Sequence, residues 1–231
     1  YKMYPEVMIP YGEEADEHMG EQFYTENLRI IVHQTIVDRL KNAKALYWIA
    51  GDVPLAEQVR RICGMCGRGL SNLEHYYQKC KAVSRNLSGE EKVLFDATLL
   101  LQAEIHYFCA KGVVTFGEAY ESFMSFEYQR AFVLFGNSTE LFDAADKAMR
   151  TAEYGVWQDF YLNDCFADVK HTAYMIRKMM GLTRELGDNV RHDQWYHEYC
   201  YATEDQKVFL LLVTDNHMTD WEIYQVMKNR D

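Results

Sequence analysis

The sequence predicts an all-α protein. Three observations carry that expectation: helix-capping pairs recur along the chain, apolar residues repeat at helical spacing, and proline is absent after residue 54. The only prolines are Pro5, Pro10 and Pro54, so most of the backbone lacks the residue that most strongly interrupts a helix. We expect a bundle of about seven or eight helices in antiparallel hairpins. Residues 1–22 form an N-terminal extended segment and residues 23–231 a single helical domain.

From about Phe23 to Ala50 the apolar positions are Ile30, Val37, Leu40 and Tyr47, the first helical stretch. Asp52 and Pro54 open a shorter helix with Leu55, Val59 and Ile62 on one side. In "RRICGMCGRGL", residues 60–70, Gly64, Gly67 and Gly69 predict a corner after which Ser71 starts the next helix. Capping boxes, in which a Ser or Thr and a Glu or Gln three residues on satisfy each other's orphan amides, occur at Ser71/Glu74, Ser88/Glu91, Thr115/Glu118, Thr203/Gln206 and Thr219/Glu222. Gly51, Gly112, Gly136 and Gly181 stand where C-caps belong. Ser88–Gly112 and Thr115–Gly136 thus read as a helical hairpin with a very short loop.

Periodicity agrees with that reading. Leu94, Ala97, Leu101, Ile105 and Phe108 follow helical spacing, as do Phe116, Ala119, Phe123, Ala131 and Leu134. Residues Ser138–Met180 are helical in pattern and break near Gly155. Strand-like alternation is nearly absent; "KVFLLLV", residues 207–213, leaves one short buried strand as an alternative to helix. Loosely spaced small residues (Ala119, Ala131, Ala144, Ala148) resemble one tetratricopeptide unit, without a second copy at a fixed period.

Composition narrows the partners. The formal net charge is −11, and 48% of residues are hydrophobic. A strongly negative field repels nucleic acid and anionic lipid, and no Lys/Arg run is long enough to form a phosphate stripe. The longest purely apolar run, "VFLLLV", falls far short of the ~18 residues a membrane span needs. The first residues show no apolar signal core. Cysteines occur at 63, 66, 80, 109, 165 and 200; Cys80, Cys109 and Cys165 lie in amphipathic segments and read as small buried hydrophobes in a reducing, cytoplasmic compartment.

Several residue groups invite chemistry. Cys63-Gly64-Met65-Cys66 lacks the preceding strand of a thioredoxin-like motif. Cys63, Cys66, His75 and Cys80 have zinc-like spacing, but five residues on one helix rotate His75 and Cys80 apart by roughly 140°. Glu104 and His106 would suit a di-iron bundle, which also needs Glu-x-x-His on two helices. No Glu-x-x-His occurs in the chain. Nucleotide loops and nucleophile elbows are absent as well.

Two segments carry more. In "VWQDFYLNDCFADVKHTAYMIRKMMG", helical geometry groups Trp157, Asp164, Asp168, His171 and Met175 within about 60°. Asp164 and Asp168 at i,i+4 repel each other, and on the same helix only His171 offers relief. The partner that neutralises them is an Arg of a neighbouring helix, a cation or a polar ligand. In "VRHDQWYHEYCYATED", His192, Trp195, Tyr196, His197 and Tyr199 sit beside Asp193 and Glu198, the mixture of ring faces and carboxylates that sugar binding uses. An aromatic cover over the end of a helical core accounts for the same cluster.

The pattern "FDAADKAMRTAEYGVWQDFYLNDCFADVKHTAYMIRKMMG", then "LGDN", then "EDQKVFLLLVTDNHMTDWEIYQVMK" resembles the C-terminal helical region of large bacterial glycoside-hydrolase-like proteins, over roughly Ser138 to Lys228. In such proteins a catalytic barrel precedes a helical domain. The resemblance implies an accessory part or a stand-alone relative, and no functional residue is carried over. This chain has nothing like an α/β barrel.

The resulting expectation is a non-catalytic accessory or binding domain without a cofactor, its partner a carbohydrate or a catalytic domain of the same parent protein. Two rivals stand beside it. One is a helical metal-dependent enzyme, a hydrolase, using Asp164, Asp168 and His171 with His192 or His217. The other is a tetratricopeptide-like interaction module.

Overall fold

The computed structural model describes residues 55–161, 169–188 and 218–230, and these are all helix and turn. Five helices order the described chain. Helix α1 is Leu55–Asn86 and α2 is Gly89–Met124. Helix α3 is Tyr128–Thr151, α4 is Val169–Asp188 and α5 is Asp220–Lys228. The all-α expectation holds there, with no strand among the described residues. The 207–213 alternative, the Phe23–Ala50 helix and the 1–22 segment lie outside them.

Helix α1 is a 32-residue rod, not the shorter helix expected after Pro54. Its buried positions show why it runs on. Val59, Ile62, Cys66, Gly69, Leu73, Tyr77, Cys80 and Ser84 are all buried, each three or four residues from the next. That spacing keeps one stripe on one side of a helix over about seven turns. The predicted corner at residues 60–70 is therefore continuous helix. Ser71 and Glu74 lie in mid-helix, both exposed, where the amides a capping box would satisfy are already bonded along the helix.

Helix α2 contains a defect. Gly89–Phe95 is α-helical, Asp96–Leu100 is a π-turn, and Leu101–Met124 is α-helical again. A π-turn inserts an extra residue and rotates the register of the helix beyond it. Leu94 and Leu99 consequently stand 67% and 50% exposed, whereas Leu101, Ile105 and Cys109 are buried. Leu94 and Ala97 thus belong to a different stripe from Leu101 and Ile105, although their spacing looks continuous.

The α2–α3 hairpin turns at Ser125–Glu127, not at Gly112–Thr115. The Glu127 amide donates to Ser122 O at 2.9 Å and the Phe126 amide to Phe123 O at 3.1 Å. Phe126 has φ +64°. Those two bonds around a left-handed residue make a Schellman C-cap, with phenylalanine where glycine is usual. Thr115 and Glu118 fall within α2.

Two of the predicted C-cap glycines, Gly112 and Gly136, are packing positions, and so is Gly117. A Cβ on Gly112 would lie 2.7 Å from the Phe142 ring, one on Gly117 would lie 2.5 Å from Cys63 Sγ, and one on Gly136 would overlap the Tyr224 ring. Glycine lets helix backbones and side chains approach where any larger residue would collide. Gly181 lies inside α4, and Gly51 lies outside the described residues.

Two boundaries match the sequence reading. Ser88 occupies the N-cap position before α2 with extended backbone, without a side-chain cap bond. Thr219 and Glu222 form a full reciprocal capping box at α5. The break expected near Gly155 is also present: α3 ends at Thr151, and a 3₁₀ turn spans Gly155–Trp157.

Packing is sequential: α1 lies on α2, α2 on α3, α3 on α4, and α5 against α3 and α4. Phe116, Phe132, Phe135, Phe142 and Tyr224 fill the core, each fully buried. Phe116 and Phe135 meet at 5.6 Å between ring centres. Ser138 Oγ donates to Gly112 O at 2.8 Å, joining α3 to α2. Tyr107 stacks on Tyr77 at 5.1 Å. The Tyr107 hydroxyl donates to Glu74 at 3.0 Å and accepts from Lys111 at 2.8 Å. This polar clasp ties α1 to α2.

An apolar-run criterion overlooks one property of α2. By length and composition it is long and apolar enough to cross a membrane, with mean hydropathy 1.2 over its most apolar 18 residues. The core helix of a soluble protein passes the same test, and the stripe from Leu101 to Phe123 is buried against α1 and α3.

Candidate functional site

The connection from α3 to α4 exposes an unusual number of rings. Tyr154 is 53% exposed, Trp157 56% and Phe160 55%. Trp157 and Phe160 meet edge-to-face at 5.7 Å, and Phe160 meets Tyr161 likewise at 5.1 Å. Leaving a large apolar side chain in water forgoes about 1.5–3 kcal/mol of burial, so a cluster of them marks a contact surface.

This loop is held in shape from below. The carboxylate of Glu153, only 5% exposed, pairs with Arg150 at 2.7 Å. It also accepts the Tyr161 amide at 2.6 Å. Arg150 in turn bridges to Asp146 at 3.0 Å. Burial works against the Arg150 charge, and the bonds to Glu153 and Asp146 outweigh it, so the guanidinium is held cationic. Gly155 and Asp159 take left-handed backbone, φ +58° and +59°. The turn therefore projects Trp157 and Phe160 outward from a fixed base.

The predicted residues divide. Trp157 precedes α4 and sits in the 3₁₀ turn, so it does not share a helical face with His171, as helical extrapolation had it. His171 is exposed on α4 and meets Tyr174 edge-to-face at 5.9 Å. Met175, placed beside it by sequence, is 8% exposed and belongs to the core. Lys178 Nζ lies 4.6 Å from the centre of the Tyr174 ring, giving α4 a solvent face of imidazole, phenol and ammonium. Asp164, Asp168, His192, Trp195, Tyr196, His197, Tyr199 and His217 lie outside the described residues. Among the described residues no group of three or more His, Cys, Asp or Glu side chains could hold a metal ion.

The thiol motif is structural in character. Cys66 is fully buried and Cys63 Sγ bonds Val113 O at 3.3 Å. Burial, then the charges of Glu121 and Glu118, push the Cys63 thiol up to about 12. A thiol so raised stays protonated at neutral pH and is a poor nucleophile. His75 is exposed and Cys80 buried, so the two point apart, as their spacing required.

A cleft of about 510 Å³ lies between the N-terminal half of α1 and the C-terminal half of α2. The sequence reading missed it, because its wall residues are forty or more positions apart and join only when the helices pack. It also missed Tyr154 and Phe160, whose signal was available: aromatic residues crowd the stretch around the Gly155 break.

No family model matches the chain, and no curated protein and no solved structure matches it.

Proposed function

We propose that the chain is a non-catalytic, carbohydrate-binding accessory helical domain whose contact surface is the aromatic loop between α3 and α4. The observation that supports this is the solvent-facing Tyr154, Trp157 and Phe160 on a base stapled by Arg150 and Glu153. Pyranose rings present an apolar face that stacks on indole and phenyl groups, while their hydroxyls bond to nearby carboxylates and amides. Gln158 and Asp159 lie between Trp157 and Phe160 in sequence and are exposed, bonded to each other at 3.2 Å. His171 and, outside the described residues, Asp164, Asp168 and the His192–Tyr199 cluster are further sugar-contact candidates from the sequence, and the reading agrees with the resemblance to accessory regions of glycoside-hydrolase-like proteins.

The test is calorimetric titration of the full chain with soluble polysaccharides of defined linkage, with reducing-sugar release measured in parallel. Binding without turnover is the expected result, and Trp157→Ala weakens it about tenfold, the share of one stacking platform. Sugar release by pure protein, or unchanged affinity in Trp157→Ala, removes the reading. The rival metal-dependent enzyme requires stoichiometric metal in unchelated protein, which elemental analysis decides. The rival interaction module requires an elongated, grooved shape, which solution scattering decides.

A further inference from the structure

The glycine- and cysteine-bearing stretch at residues 60–70 has a role the carbohydrate surface does not absorb. Arg60, Cys63 and Gly64 form one wall of the α1–α2 cleft, and Gly117, Glu118 and Glu121 line the other side. A volume of about 510 Å³ lies within the range of about 300–1,000 Å³ that small-molecule sites occupy. Two glycines make the space. Gly117 lets Cys63 pack flush against α2, where a Cβ would collide with its sulfur. A Cβ on Gly64 would meet nothing within 4 Å, so that wall opens into the cleft.

The remaining lining is an apolar body with a charged edge. Val59 and Val114 are aliphatic walls, and Met124, 48% exposed, stands at the mouth. Tyr120 adds an aromatic ring. Glu118 and Glu121 are exposed, and neither is in an ion pair with a cation of the described residues. Arg60, the cation among the described lining residues, is engaged by Glu57, which also meets Arg61 at 3.7 Å. The negative potential penetrates: both glutamates raise the Cys63 thiol further than burial alone does.

We propose that this cleft binds an organic cation, a molecule with an apolar body seated between Val114 and Tyr120 and a quaternary or protonated nitrogen held at Glu118 and Glu121. Carboxylates and an aromatic face act together on such a group, the first by Coulomb attraction and the second by cation–π contact. An anion of the same size meets repulsion instead. The site is separate from the aromatic loop, so it stands or falls independently of the carbohydrate reading.

The probe is berberine, a planar quaternary cation that brightens when it leaves water, titrated into the full chain. One saturable equivalent is expected, with affinity reduced roughly tenfold in the Glu118→Gln/Glu121→Gln double variant. Added salt weakens it, and Gly64→Trp, which fills the cleft, abolishes it. Both altered glutamates are exposed, so circular dichroism of that variant stays unchanged. Trp157→Ala leaves berberine binding intact. Absence of saturation overturns the proposal. So do wild-type affinity in the double variant, loss of binding in Trp157→Ala, or equal affinity for the anion 8-anilinonaphthalene-1-sulfonate. If Gly64→Trp loses helicity, the glutamate variant alone decides.

Discussion

Glycine at single positions does two opposite things in this protein. Gly136 is buried inside α3, and a methyl group there would overlap the ring of fully buried Tyr224. That ring is held at its far end, where its hydroxyl donates to Asn137 at 2.8 Å. Gly136→Ala therefore forces α5 away from α3, and we expect it to cost about 1–3 kcal/mol as an overpacked site. Gly64 has open space beside it and sits in the interior of α1. Gly64→Ala should stabilise by about 0.5–1 kcal/mol, because alanine loses less backbone freedom on entering a helix. Chemical denaturation of the two variants measures both, and equal effects of one sign would contradict the packing described.

At the scale of elements, ends and defects set the register. The Schellman turn after α2 places Phe126 in the left-handed region with its ring 76% exposed. A non-glycine residue there carries strain of about 1–2 kcal/mol, and the exposed ring recovers little of it through its 6.2 Å edge contact with Tyr128. Asparagine adopts that backbone more readily, so Phe126→Asn should raise stability by about 1 kcal/mol. Urea midpoints at constant m-value provide the check. A loss of stability would mean that Phe126 is held by contacts beyond Tyr128. The π-turn at Asp96–Leu100 is the other defect. Lys92 donates to Ser84 Oγ and to Asp96, each at 2.6 Å, and Ser84 donates to Asp96 at 2.6 Å. This network pins the π-turn to the end of α1.

At the scale of the whole molecule, acid stability depends on His106. Burial pushes its imidazole down to about 3, from about 6.5 in an unfolded chain. Between those values the unfolded chain binds a proton that the folded protein refuses. This contribution is therefore complete above about pH 6.5 and is lost as pH falls toward 3. One such group adds a slope of up to about 1.4 kcal/mol per pH unit. In His106→Phe the fall in stability between pH 6 and 4 should be shallower by about that slope. Parallel pH curves for the two proteins would show that the ring is protonated in the fold. The carboxyl of Asp143, raised by burial against the pull of Arg177, acts in the opposite direction and is common to both.

Local chemistry alone was enough for the all-α class of the described residues, the Thr219 capping box and the break at Gly155. Each depends on residues within a turn or two of one another. Of the aromatic loop, Trp157 was legible for the same reason, although its neighbours there are Phe160 and Tyr161 rather than a helical face. Tertiary structure decided the rest. Gly112 and Gly136 carry the same sequence signal whether they end a helix or admit a neighbouring ring, and only the partner helix distinguishes the two. Ser71/Glu74 and Thr115/Glu118 have the composition of caps, but burial of the flanking stripes extends the helices through them. The α1–α2 cleft has no sequence signature at all. Its walls lie some fifty residues apart, and the space between them exists because two glycine-bearing helix faces pack side by side.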